Sequence, residues 1–384
     1  MRDSDAGRRP ATVGLCVLAL LVAGCGGEES TPGDGAGDAP EPQVEPRGAE
    51  AIDVFARARR WDRVLEVART IPPEDYSLGV MHDVQRALFH RGRLLDEMFA
   101  WPQTVQRDGR LLFSALAPRT AHTAWKMTVT FFELGHVNLA EVWAHFTMEI
   151  EGPRAAPLKL LSRVYLLRNK PQMARTCLGA LAAADPSQRD WVRERLARFD
   201  AETDLAGDPE LVRLRRMMPV KDYARGPGVI PFRQYFIQLL DTNRDNRMAL
   251  AYLVAFDLWS RRADLVVDDL RWLEATPDAR LPRHWQEAVL VFLATRAFRA
   301  TSYADQQRLA ATWTSRVDAS VRTRFREFNA SMRVLLRAPR NERPALLAAI
   351  EKTYGGDWYY HAYFGYSAAG KTLKPVDVVT GATE

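Results

Sequence analysis

Leu158–Pro186 reads LKLLSRVYLLRNKPQMARTCLGALAAADP. Leu158, Leu161 and Tyr165 fall at i, i+3 and i+7, and Leu160, Val164 and Leu167 widen the same stripe. That period belongs to an amphipathic α-helix. Arg168-Asn169-Lys170-Pro171 breaks it, and a proline suits the first turn of a following helix, where its missing N–H is not needed. The second helix is expected to bury Met173, Ala174, Cys177, Leu178 and Leu181. Asp185-Pro186 stops it, because proline pushes the preceding residue out of the α region. Two helices joined by so short a turn pack antiparallel.

The pattern recurs on both sides. Ala51–Arg59 with Trp61–Thr70, Asp75–Arg91 with Leu94–Ala100, and Ala121–Leu134 with Leu139–Ile150 are further hairpins. The stretch 101–119 is a less regular connection, bracketed by Pro102, Gly109 and Pro118. Ser187 with Asp190 fits a capping box for a helix running to Thr203, and Asp208-Pro209 caps and starts the next. Helical patterns resume at Phe232–Leu240, Met248–Ser260, Asp264–Ala275, Arg283–Arg299, Tyr303–Ala338 (one helix or two) and Arg343–Thr353. No run alternates well enough for a sheet.

Leu158–Pro186 resembles a tetratricopeptide repeat of about 34 residues. Tyr165 stands at the aromatic position of the first helix, Ala174 at the small position where the helices cross, and Pro186 at the closing proline. Asn169 replaces the usual turn glycine. The resemblance implies an all-α chain, a right-handed α-solenoid of antiparallel helical hairpins. Its halves are 49–218 and 232–354, split by the Pro/Gly-rich 219–231, with residues 355–384 as an aromatic cap and tail.

Before the helices the composition changes. Arg8 and Arg9 precede an apolar run, Ala11–Ala23, too short to span a bilayer comfortably. It ends Leu21-Val22-Ala23-Gly24-Cys25, which resembles the bacterial lipobox. The resemblance implies that residues 1–25 hold a lipoprotein signal, that the chain is cleaved before Cys25, and that Cys25 is lipidated. Several acyl chains together hold a protein stably at a membrane. Gly26 follows in place of the aspartate that marks inner-membrane retention in enteric bacteria. The expected location is therefore the cell envelope, at the outer membrane facing the periplasm or the cell surface if the host has two membranes. Residues 26–48 are rich in Gly, Pro and acid and read as a disordered tether.

The formal charge is +5. Residues 26–50 carry seven acids against Arg47, a net of −6, and residues 1–25 a net of +1, so the body carries +10. A basic body suits anionic partners, but no dense Lys/Arg run with interleaved aromatics appears, and nucleic acid is not expected. Of three cysteines, Cys16 lies in the signal and Cys25 in the lipobox, leaving Cys177 as a small core residue on an apolar helix face.

Chemical motifs are weak. Gly365–Thr372, GYSAAGKT, satisfies the phosphate-loop pattern, but Pro375 interrupts any following helix and the parallel sheet has no room. Asp241–Asp245 begins like a calcium loop, yet Asn246 replaces its glycine and Tyr252 its last glutamate; Asp245 or Asn246 capping a helix from Arg247 explains it better. His82, His90, His122, His136, His145, His284 and His361 show no zinc spacing. No catalytic, cofactor or metal site is expected. The distinctive local feature is aromatic: Trp358, Tyr359, Tyr360, Tyr363 and Phe364 either cap the last helices or form a partner-binding surface.

A second resemblance rests on Leu94–Phe99, on 131–149 (FFELGHVNLAEVWAHFTME), on Asn243–Ala255 and on Gly356–Tyr360. These stretches look like a family of bacterial helical-repeat proteins without an established activity. Many of its members carry transmembrane helices ahead of the repeats; this chain has a lipidation signal instead. The expectation is a membrane-tethered, non-enzymatic scaffold that binds a protein or peptide partner. A glycan-binding lipoprotein using exposed aromatics, and an envelope enzyme with an unrecognised polar site, are the alternatives.

Overall fold

The computed structural model describes residues 47–103, 120–201, 205–219, 232–273, 280–294 and 313–364. The chain divides into two units, Met1–Gln43 and Val44–Glu384, and every described residue lies in the second. Cys25, residues 26–46 of the acidic tether, most of the 101–119 connection, residues 220–231 of the break and the Gly365–Thr372 motif fall outside the described residues, and helix begins at Gly48, inside the expected tether.

The chain is all-α. Among the described residues there are seventeen α-helices and no strand. The first ten are α1 (Gly48–Arg57), α2 (Trp61–Ala68), α3 (Leu78–His90), α4 (Leu94–Glu97), α5 (Ala121–Leu134), α6 (Val137–Glu151), α7 (Ala155–Leu167), α8 (Pro171–Ala184), α9 (Arg189–Ala201) and α10 (Pro209–Met217). The others are α11 (Phe232–Thr242), α12 (Arg247–Trp259), α13 (Ala263–Asp268), α14 (Arg283–Ala294), α15 (Ala319–Arg337), α16 (Arg343–Tyr354) and α17 (Trp358–Phe364). Neighbours in sequence pack together from α5 through α9 and from α11 through α14, in the manner of a solenoid.

The turns show the repeat more clearly than the helices do. Arg59, Gly92, Gly135, Asn169 and Arg261 each adopt a left-handed backbone, with φ of 54°, 67°, 86°, 55° and 54°. After each, the next N–H bonds five residues back, Arg60 to Phe55, Arg93 to Leu88, His136 to Phe131, Lys170 to Tyr165 and Arg262 to Asp257. The left-handed residue itself bonds three back. This is the Schellman ending, used five times. Arg59 and Gly92 are 33 residues apart, and Gly135 and Asn169 are 34 apart. Five residues beyond four of these positions a small or β-branched side chain, Val64, Ala140, Ala174 or Val266, is fully buried where the paired helices cross.

The α7–α8 hairpin follows its sequence with one exception. Ala174, Cys177, Leu178 and Leu181 are buried, but Met173 is 41% exposed, because it stands one position off the stripe that faces α7. The capping box at Ser187 also does not form. Asp185 caps instead, accepting from the Ser187 N–H and hydroxyl, and the helix starts at Arg189. The Asp208 and Asn246 caps form as expected, bonding the N–H of Leu211 and of Ala249.

The array departs from an open solenoid in its second half. Helix α4 packs against α12 and α14, α5 against α12, and α10 against α5 and α7. Asp96 of α4 accepts the first N–H of α14, from Arg283, across 187 positions of sequence. The halves on either side of residues 219–231 therefore share one core.

Candidate functional site: a charged cleft over the α5–α6 turn

One turn positions the cleft. At Gly135 a Cβ would lie 2.8 Å from Cβ of Met217, so the absence of a side chain lets the end of α10 seat directly on the turn. Next to it, the Asn246 side chain donates to Leu134 O and accepts from Ala249 N, fixing the start of α12 to the end of α5. Helices α10 and α12 are thereby held as two walls around the ends of α3 and α5.

The cleft has a volume of about 810 Å³ and is open to solvent. One face of α10 lines it, Pro209, Val212, Arg213, Arg216 and Met217, spaced i, i+3, i+4, i+7 and i+8. Asn243, Asp245, Arg247 and Met248 come from the opposite wall, Phe89 and His90 from the end of α3, Glu133 from the floor, and Arg59 from the α1–α2 turn. Arg59 holds its left-handed backbone at a cost of about 1–2 kcal/mol relative to glycine, and its guanidinium donates to Glu210 at 3.1 Å. Arg163 of α7 reaches the other oxygen of Glu210 at 2.6 Å. Both partners outweigh the effect of burial and hold Glu210 below the ordinary glutamate range.

Beneath the cleft runs a polar seam between α3 and α5. Arg86 donates twice to Glu133, both at 2.7 Å, and stacks over Trp61 at 4.9 Å. His90 lies 3.3 Å from Glu133 and stacks on the same indole, 4.3 Å between rings. Burial alone would raise the Glu133 carboxyl, but the Arg86 charge and hydrogen bonds, with His90, hold it well below the ordinary value. One turn deeper, Lys126 donates to Asp53 at 2.9 Å and to Asp83, while His82 sits between Asp83 and Thr130. A carboxylate accepting a bidentate guanidinium is an ionised structural partner, with little capacity left to serve as a base.

A second polar node lies among α11, α12 and the 3-10 turn Asp269–Leu273. Arg233 donates to both oxygens of Asp257 and, at 2.9 Å, to Asp269. Both aspartates are fully buried. A third joins α14 to α17: Glu287 accepts from Trp358 N at 2.6 Å and lies 2.9 Å from His284, and Asp357 pairs with Arg283 and Arg324.

The aromatic segment singled out in the sequence is α17. Trp358, Tyr359, Tyr360 and Phe364 are buried and Tyr363 is half-buried. Trp358 Nε1 donates to Leu258 O, Tyr359 OH to Asp357, and Phe328 packs against Tyr359 and Tyr363. These rings are core, joining α17 to α12, α14 and α15. Set in this way Trp358, Tyr359, Tyr360 and Phe364 offer a partner no open face, and the exposed-aromatic reading draws no support from them. Cys177 is buried with a free thiol, which burial pushes up. Among the described residues no cluster of His, Cys, Asp and Glu could hold a metal ion.

Of the cleft residues the sequence marks Asn243, Asp245 and Asn246 as a broken calcium-loop pattern, Pro209 as a helix start and His90 as one of seven histidines; it brings none of them together. The available signal was Arg59, an arginine where a hairpin turn ordinarily takes glycine.

The profile of a family of unknown function, DUF6057, matches residues 42–364. The chain belongs to this family. The match covers every stretch quoted above for the second resemblance, the whole helical body and α17. No curated protein matches the chain. For DUF6057 members, then, the cleft has to be read from its own geometry.

Proposed function

We propose that this DUF6057 protein is a membrane-tethered, non-enzymatic helical-repeat scaffold that binds a protein or peptide partner in the cell envelope. The tether is the Cys25 lipobox with its acidic linker. The 33- and 34-residue turn spacing supports a tetratricopeptide-like body, and stacked hairpins bind extended or helical peptides. The observation that carries the reading is the cleft held open by Gly135 and Asn246. Its carboxylates, the buried Glu133 and the partly buried Glu210, are already committed to arginines, which favours binding over catalysis. Among the described residues no helix is long and apolar enough to cross a membrane.

Two measurements test this. Cys25→Ala should move the protein from the membrane to the soluble fraction; retention on the membrane refutes the lipid tether. A photo-crosslinking residue at Val212 in intact cells should trap a discrete polypeptide, and one at the exposed Val334 of α15 should not. Equal trapping at both positions, or none, refutes the cleft as the partner site.

A further inference from the structure

The charges around the cleft do not balance. Arg59, Arg86 and Arg163 are matched by Glu133 and Glu210. Arg213, Arg216 and Arg247 line the walls, are exposed, and among the described residues form no ion pair. Among the described residues Arg213 donates to the sulfur of Met217. Of the three acids among the described lining residues, Asp245 is the one that forms no ion pair with another described residue. Three arginines thus face the space against one aspartate. Two of them lie one turn apart on α10, and the third stands on the opposite wall.

Between them the surface is apolar, formed by Phe89, Val212, Met217 and Met248. A phosphate site would gather backbone N–H groups or converging donors at one point. A nucleic-acid groove would interleave several aromatic platforms with its cations. Here the cations are spread over two walls, the rings on the lining are Phe89 and a His90 already stacked on Trp61, and the walls present Met217 and Met248, which suit an aliphatic anchor.

We propose that the cleft binds an acidic peptide segment, its Asp or Glu carboxylates paired with Arg213, Arg216 and Arg247 and an apolar side chain seated on Met217 and Met248. The inference rests on the scaffold reading above and names the partner chemistry for that site. Arginine suits the task because its planar fork meets a carboxylate with two parallel hydrogen bonds. Binding of this kind weakens as salt screens the exposed pairs.

The test uses the full lipidated chain in detergent and fluorescein-labelled twelve-residue peptides. The peptides share one Leu/Ser background and carry zero, three or six glutamates. Affinity should rise with each step, by roughly tenfold or more between zero and six glutamates at low salt, and the gain should collapse at high salt. The triple variant R213E/R216E/R247E should lose the dependence on glutamate, and R213K/R216K/R247K should keep most of it. All three side chains are exposed, and circular dichroism checks that the variants fold. If every peptide binds alike and charge reversal changes nothing, the acidic-partner inference falls and the scaffold reading stands. If no peptide binds, while inorganic phosphate or anionic-lipid vesicles bind through the same arginines, both fall.

Discussion

Lys126 stands between Asp53 and Asp83 where α1, α3 and α5 meet, and Arg233 stands between Asp257 and Asp269 where α11, α12 and the turn after α13 meet. Both nodes seat two aspartates around one cation, yet they hold their protons differently. Asp53 is 18% exposed and has Arg57 at 2.8 Å as a second partner. Asp83 has His82 as well as Lys126. Burial pushes both carboxyls up, but these partners outweigh it and both end below the ordinary aspartate value. Asp257 and Asp269 are fully buried, and in Asp269 burial combines with the neighbouring Asp257 to push the carboxyl up to about 8. Burial also raises Asp257. Oδ2 of Asp269 has no donor among the described residues, and the neighbouring carboxyl of Asp257 adds to the effect of burial there. A count of charges alone therefore does not say how a buried node is ionised; donors per carboxylate and access to water do.

The largest effect that sharpens this contrast is removal of each cation. Lys126→Met strands Asp83, which is 2% exposed, and should cost about 3–5 kcal/mol in urea unfolding. Arg233→Met should cost less near pH 6, because a node already holding one proton can take up another. If Arg233→Met proves the more damaging of the two, the proposed difference in protonation is wrong.

The next effect is in pH. Carboxyls held below their unfolded value contribute stability above that value and lose it as pH falls through the folded one; Asp53 and Asp83 are of this kind. Carboxyls held above it contribute fully below about 3.8 and lose that contribution as pH rises toward about 8; Asp269 is of this kind. The groups facing it are Asp257, Arg233 and Arg271. Asp269→Asn copies the protonated acid. It should match the wild type near pH 4 and below, and exceed it at pH 8 by a margin that grows by up to about 1.4 kcal/mol for each pH unit in between. Thermal melts at the two pH values decide it: a variant no more stable than wild type at pH 8 means that Asp269 is ionised.

These nodes also mark where the sequence stops being legible. Apolar spacing revealed most helices, and Asp208-Pro209 and Asn246 announced their caps, because each depends on residues within one or two turns. Asp83, Lys126 and Glu133 are buried charges on otherwise apolar helices, with partners more than 40 positions away. Nothing local separates such a residue from a solvated one. Gly135 shows the same limit. Its turn was visible, but the need for an absent Cβ comes from Met217, 82 residues later. Apolar spacing placed the breaks at Arg59 and Arg261, but an arginine does not announce the left-handed backbone that both adopt. Residues of the cleft come from five separate segments, and no spacing in the chain connects them.

The smallest predicted effect is Asp53→Asn. Asp53 is the partly exposed member of its node, and Lys126 keeps Asp83 as a partner when it is lost. Solvent screens what it contributes, so the loss should be about 1 kcal/mol or less. The substitution removes one of two carboxylates around a cation, as Asp269→Asn does in the other node. The two should nevertheless differ in sign at pH 8: Asp53→Asn discards an ionised partner and destabilises slightly, while Asp269→Asn relieves a carboxyl that burial disfavours and stabilises. Salt separates them further. Raising ionic strength should shrink the Asp53→Asn effect, because Arg57 and Asp53 are open to water, and should leave the effect of Asp269→Asn nearly unchanged. Equal signs at pH 8 would mean that the two nodes share one protonation state and that water access does not set it.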